Sequence, residues 1–220
     1  TAKVLCIGMA AGAEEEIQGK AFVGPAGELL RDGLRRAGFD SDADAGYTNL
    51  GRCRPEHDDF DAPSWTQAEK RCQTYLERDL LWGHAIPWLL LGTRPLRKLL
   101  NDGKLTIGAY RGLWVETSKT GPAKAAHAAY VARHPAQILR TQDARTKAAL
   151  LDEFYADLQR LADRLRGQDA SSVRADIFPD LAAGEPFLRW LAGQSMPWAF
   201  DIESFDGARF PSRKDVSTDP

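Results

Sequence analysis

Four short apolar runs, each of strand length and separated by helix-like stretches, leave this chain few folds to adopt. The runs are Lys3–Gly8, Gly46–Leu50, Pro87–Gly92 and Ala129–Ala132. Between and after them lie the amphipathic segments Ala26–Ala37, Thr66–Leu81, Arg94–Leu100 and Arg145–Arg166. The first is apolar at 26, 29, 30, 34 and 37, the spacing of one helix face. Leu113–Glu116 fits an additional strand. Buried strands joined by helices call for a parallel sheet covered on both faces. The expected fold is therefore α/β, a three-layer α/β/α sandwich around a central, mainly parallel four-stranded sheet. Ligands of such sheets bind at the carboxyl ends of the strands, so the residues that follow each run carry the functional argument.

After the first run comes GMAAGAEEEIQGKAFVGPAGELL, Gly8 to Leu30, with glycines at 8, 12, 19, 24 and 27. Glycines let the main chain approach a flat ligand and take up positive φ. A helix start near Pro25 favours negative charge. The reading here is a strand, a glycine-rich turn, a long loop carrying Phe22, and then a helix. After the second run comes Tyr47-Thr48-Asn49-Leu50-Gly51-Arg52-Cys53-Arg54-Pro55, and after the fourth Ala132-Arg133-His134-Pro135. Of the four histidines, only His134 follows a strand at the expected ligand edge.

These segments, in this order, resemble the uracil-DNA glycosylase superfamily, and within it the iron–sulfur branch known as family four. That family opens with a GEAPG-type loop, continues through QG-x-PFVG-x-AG-x-LL, and follows with TN-x-x-KCRP and a later HP. The counterparts here are Gly8–Gly12, Gln18–Leu30, Thr48–Pro55 and His134-Pro135, and the likeness runs from about Lys3 to Leu165. It implies hydrolysis of the uracil–deoxyribose bond in DNA after the nucleotide is flipped from the helix. By resemblance, Phe22 stacks on the base, Asn49 reads its polar edge, and His134 stabilises the departing anion. Met9, Ala10 and Gly12 would offer main-chain contacts to the base, and Glu15 would crowd its C5 edge against thymine. Arg52, Arg54, Arg133 and Arg140 are the expected phosphate contacts.

The chain departs from the family at two places. Met9 stands where the first-motif acid belongs, and a thioether cannot act as a general base. A weakened glycosylase and an inactive uracil-DNA sensor are both compatible with that replacement. Cys53 and Cys72 match the two later cluster ligands, while a four-iron cluster needs about four thiolates. Cys6, inside the first run, reads as a core residue, so the expectation leans towards no cluster.

Composition narrows the setting. The chain has 220 residues and a formal net charge of −2, so DNA contact must come from local patches rather than a global basic field. Three cysteines argue for a reducing, cytoplasmic compartment and against a secreted disulfide framework. Residues 1–166 read as the glycosylase-like domain and 167–196 as a linker. Residues 197–220 carry a strand-like segment whose Asp201-x-Glu203 pair resembles the first metal motif of DEDD 3′–5′ exonucleases attached to family A DNA polymerases. Two carboxylates on one strand face suit a divalent metal, and the partner ligands would lie elsewhere. The chain accordingly reads as part of a larger DNA polymerase or exonuclease polypeptide.

Overall fold

The computed structural model describes residues 2–55, 59–60, 62–167 and 176–177. The elements are β1 (Val4–Gly8), α1 (Ala13–Gln18), α2 (Pro25–Arg36), β2 (Ala45–Asn49), α3 (Pro63–Trp82), β3 (Trp88–Leu91) and α4 (Thr93–Leu100). They continue with α5 (Ile107–Tyr110), β4 (Trp114–Glu116), β5 (Ala128–Ala132), α6 (Pro135–Arg140), α7 (Ala144–Leu165) and β6 (Asp176–Ile177). The strands lie in the order β2-β1-β3-β5-β4-β6. The first four are mutually parallel, β4 runs antiparallel to β5, and β6 pairs parallel with β4.

Alternation along the central strands builds two cores. Val4, Cys6, Leu89, Leu91, Tyr130 and Ala132 point to one face, where α2, α6 and α7 bring Leu30, Leu34, Ile138, Phe154, Leu158 and Leu161. Leu5, Ile7, Trp88, Leu90, Ala129 and Val131 point to the other, against Leu76 and Leu80 of α3 and Leu96 and Leu99 of α4. Side chains two apart share a face, so a strand buried on both sides is apolar at every position. That is why the runs read as continuous. Each fully buried leucine contributes about 1.5–3 kcal/mol, and the helices are held chiefly by this burial.

The α/β/α sandwich thus matches the expectation, but the sheet has six strands rather than four, because β4 and β6 extend the four parallel ones, and three short helices add to it. The stretch read as a loop contains α1, which starts at Ala13 after Gly12 as its N-cap and carries Glu14, Glu15 and Glu16 in its first turn, where the helix dipole favours acids. Neither α5 nor α6 was anticipated, each being too short to show a period. α3 starts three residues earlier than its pattern suggested, with Pro63 in the first turn where a missing N–H costs nothing. Within the stretch read as a linker, Asp176–Ile177 forms a strand. The segment 197–220, with Asp201 and Glu203, lies outside the described residues.

Candidate active site

Register places the site. Gly8 at the end of β1 is opposite Asn49 at the end of β2, and the pairing continues through Leu50 N–H to Gly8 O and Gly51 N–H to Met9 O, both 3.0 Å. A side chain at position 8 would occupy the space that Asn49 and Phe22 share. A Cβ there would lie 2.4 Å from Asn49 Oδ1 and 2.6 Å from Phe22 Cζ. Gly8 is therefore the floor on which the amide and the ring edge meet.

Phe22 reaches that point through an unusual backbone. Its φ is 57°, in the left-handed region that costs a residue with a side chain about 1–3 kcal/mol. The first turn of α2 closes on it: a Cβ on Gly27 would fall 2.0 Å from the Phe22 carbonyl oxygen. The buried Phe22 ring lies 6.1 Å from the His134 ring at 30°, close to stacked, and 5.8 Å from the Tyr47 ring.

His134 arrives from β5. Gly92 N–H donates to Ala132 O at 2.8 Å, and Gly92, at φ 89°, leaves room for the His134 Cβ, which a side chain at 92 would meet at 3.0 Å. His134 caps α6, its Nδ1 accepting the Ala136 N–H at 3.1 Å. Burial lowers its pKa from 6.5 to about 4; the Arg140 charge lowers it further and Glu15 opposes both. At neutral pH the ring is uncharged, and because Nδ1 is an acceptor the single proton sits on Nε2. The site thus offers a neutral N–H donor rather than an imidazolium.

Asn49 is buried, and its Oδ1 accepts no hydrogen bond from the described residues. Buried polar atoms are nearly always satisfied, and one left open costs about 1–3 kcal/mol. An open acceptor beside an aromatic ring and an N–H donor suits a flat heterocycle with a polar edge.

Glu15 holds the loops around the site. Its carboxylate accepts from Gly12 N at 3.1 Å, Val23 N at 3.0 Å and Gly24 N at 2.9 Å, tying the two glycine loops together. The Gly12 amide is thereby taken up by Glu15. Met9 and Ala10 lie partly buried beside it in the loop after β1. The arginines do not form one free patch. Arg52 binds Asp79 through Nη2, at 2.9 and 3.1 Å, and lies over the Tyr75 ring. Arg133 pairs with Glu153 at 3.4 Å. The Arg54 amide donates to Glu16. Arg140 is exposed, with its Nε on the Ala136 carbonyl. Tyr47, Gly92 and Arg31 adjoin the site without having been singled out; the glycine after β3 was the one visible signal.

Cys53 is exposed and Cys72 buried. The Cys72 sulfur accepts the Arg52 N–H at 3.4 Å. Burial, then the neighbouring Cys72 and its hydrogen bond, then Glu16, push the Cys53 thiol up. Two adjacent thiols fit one edge of an iron–sulfur site. The third cysteine, Cys6, is inside β1 with its pKa strongly raised by burial, and no group of three or more His, Cys, Asp or Glu that could hold a metal occurs among the described residues. This chain's residues supply two of the four thiolates a cluster requires, and no chemistry is assigned to one.

No helix among the described residues is long and apolar enough to cross a membrane. The sequence profile of the Uracil DNA glycosylase superfamily matches residues 1–159. A Type-4 uracil-DNA glycosylase of Archaeoglobus fulgidus is 27% identical over 165 residues, 74% of this chain and 76% of that protein. One from Pyrobaculum aerophilum is 31% identical over 158 residues, 70% of this chain and 74% of that protein. With the profile spanning most of its length and the motif residues meeting at one sheet edge, the chain belongs to the uracil DNA glycosylase superfamily.

Proposed function

We propose that this domain excises uracil from DNA by hydrolysing its N-glycosidic bond. The observation that carries the reading is the open Asn49 Oδ1 beside the Phe22 ring, next to the neutral His134. A flipped uracil stacks on Phe22. The Asn49 amide accepts from uracil N3–H and donates to O4, whereas cytosine presents the reverse pattern and leaves both amide ends unpaired. As the C1′–N1 bond breaks, the electron pair moves onto the base and negative charge gathers at O2. The His134 Nε2–H donates to that oxygen. A preorganised donor of this kind is worth about 10²–10³-fold in rate. Water adds to C1′, and its proton leaves to solvent.

Met9 cannot take that proton, and the Glu15 carboxylate is committed to three amides. The reading therefore rests on a largely dissociative break in which leaving-group stabilisation dominates. Met9 also favours a second reading, a uracil-DNA sensor that binds without excision. An exonuclease neighbour, expected from Asp201 and Glu203, would share its DNA but has no part in this chemistry.

The test uses oligonucleotides with a single uracil, thymine or cytosine, followed by anisotropy for binding and by alkaline cleavage for abasic sites. Uracil-only cleavage, reduced at least tenfold by Asn49→Leu, supports excision. Uracil-selective binding without cleavage supports the sensor, and absence of any uracil preference refutes both.

A further inference from the structure

Phe22 holds a backbone conformation that a phenylalanine does not choose for itself, and its neighbours over-determine it. On the C-terminal side, the Val23 and Gly24 amides are fixed by the Glu15 carboxylate. On the carbonyl itself, the Arg31 Nε–H donates at 3.3 Å. Arg31 comes from the second turn of α2, the helix whose first turn presses Gly27 against the same carbonyl.

Arg31 is in turn anchored by its own neighbours. Its guanidinium carbon lies 4.3 Å from the centre of the Tyr47 ring. Its Nη1 donates to the Ser41 carbonyl at 3.3 Å and pairs with Asp42. The Tyr47 hydroxyl donates to that same Ser41 carbonyl at 2.5 Å. The Tyr47 ring also lies 5.8 Å from the Phe22 ring, which neighbours His134 at 6.1 Å. The result is a chain of neighbouring groups, guanidinium, phenol, phenyl and imidazole, from α2 to the candidate catalytic histidine.

We propose that Arg31 is a positioning residue for base recognition. Seated on Tyr47 and bonded to the Phe22 carbonyl, it presets the plane of the Phe22 ring before DNA arrives. This rests on the reading of Phe22 as the stacking platform. A guanidinium suits the task because one planar group stacks on a ring and donates in its own plane. An ammonium cannot do both, so Arg31→Lys is a partial replacement at best. Rigid placement of the platform spares the enzyme the entropy of ordering it on binding.

Arg31→Met keeps an unbranched apolar stem and removes the donor and the cation. Stacking is made both in the bound substrate and in the transition state, so the loss appears mainly in KM. The variant is expected to raise KM for a uracil oligonucleotide about tenfold with kcat within about threefold. Arg31→Lys falls between it and the native protein. In a Phe22→Leu background, Arg31→Met costs nothing further, because a residue acting through Phe22 has nothing left to position. Equal losses in both backgrounds, or an unchanged KM, would overturn the proposal.

A measurement without substrate separates this proposal from the glycosylase reading. In protein labelled with ¹³C on phenylalanine rings, the Phe22 resonance senses the neighbouring His134 and Tyr47 rings. It is expected to shift or broaden in folded Arg31→Met and to move less in Arg31→Lys. An unmoved Phe22 resonance overturns the positioning role whatever the native protein does to DNA. A native protein that neither cleaves nor binds uracil-DNA sinks the glycosylase reading, while the Phe22 spectrum still decides whether Arg31 sets that ring.

Discussion

Replacing Gly8 by alanine tests the floor of the site with a single methyl group. The new carbon falls 2.4 Å from Asn49 Oδ1 and 2.6 Å from Phe22 Cζ. Comfortable carbon contacts are about 3.5–4.0 Å, so the methyl overlaps both neighbours by about an ångström at once. Neither can step aside freely. Asn49 ends β2 in register with Gly8, and Phe22 is pinned by Gly27 and by the Glu15-bound amides. Overpacking of this kind costs about 1–3 kcal/mol, and for a chain of this size each kcal/mol lowers Tm by about 2–4 °C. Activity suffers more than stability, because displacing a recognition group by about 1 Å can cost 10²-fold. The assay pairs kcat/KM on a single-uracil oligonucleotide with calorimetry. Gly108→Ala is the control, since a methyl there meets nothing within 4 Å. Gly8→Ala is expected to lose about a hundredfold in kcat/KM with a Tm loss of about 2–12 °C. Native activity together with a native Tm would refute the assignment of this space to the site.

Other consequences follow from individual side chains. Because His134 is held neutral down to about pH 4, uracil release should stay level through pH 6.5, where a free histidine titrates, and fall only near pH 4. Its effect on stability has a definite sign. The unfolded chain binds the proton first, so the contribution is intact above pH 6.5 and is lost as pH falls from there to about 4. At most this amounts to about 3 kcal/mol, read as the difference between native and His134→Gln proteins in urea titrations across that range. Met9→Glu puts a carboxylate where the superfamily pattern has one and should raise single-turnover excision by about tenfold or more if water activation is the missing contribution. Asp157, fully buried, pairs with Arg111 at 3.3 Å and with Arg160. Burial nevertheless raises its pKa, the two arginines opposing that shift. Asp157→Asn removes the buried acid, but Arg111 keeps Glu153 at 3.3 Å and Arg160 is half exposed, so the cost should be about 1–3 kcal/mol by urea denaturation.

The layers of this fold were legible because each central strand is apolar on both faces, so Val4–Gly8 and Trp88–Leu91 announce themselves without their partners. The motif glycines were legible too, since Gly8 and Gly27 stand where a side chain would collide. What stayed hidden depends on contacts between distant segments. Three consecutive glutamates look like a solvated loop until Glu15 meets the amides of Val23 and Gly24 from the far side of that loop. That Arg52 and Arg133 also pair with Asp79 and Glu153, on α3 and α7, was hidden as well. Residue type gives no warning of that, because the acids sit 27 and 20 positions away on helices whose rotation only packing decides. The pairing of Asn49 with Gly8 was likewise invisible, because parallel register is set by the crossovers and not by either strand alone.

The measurement that bears most directly on the account is single-turnover release of free uracil by the native protein and by His134→Ala, with binding recorded on the same oligonucleotides. The account predicts free uracil and an abasic strand in equal amounts from the native protein. In His134→Ala it predicts a rate about 10²–10³-fold lower with affinity essentially kept, as expected when a donor serves the departing base. Release at the same rate in both proteins would contradict the role given to the neutral histidine. Tight uracil-selective binding with no release from the native protein would contradict excision itself.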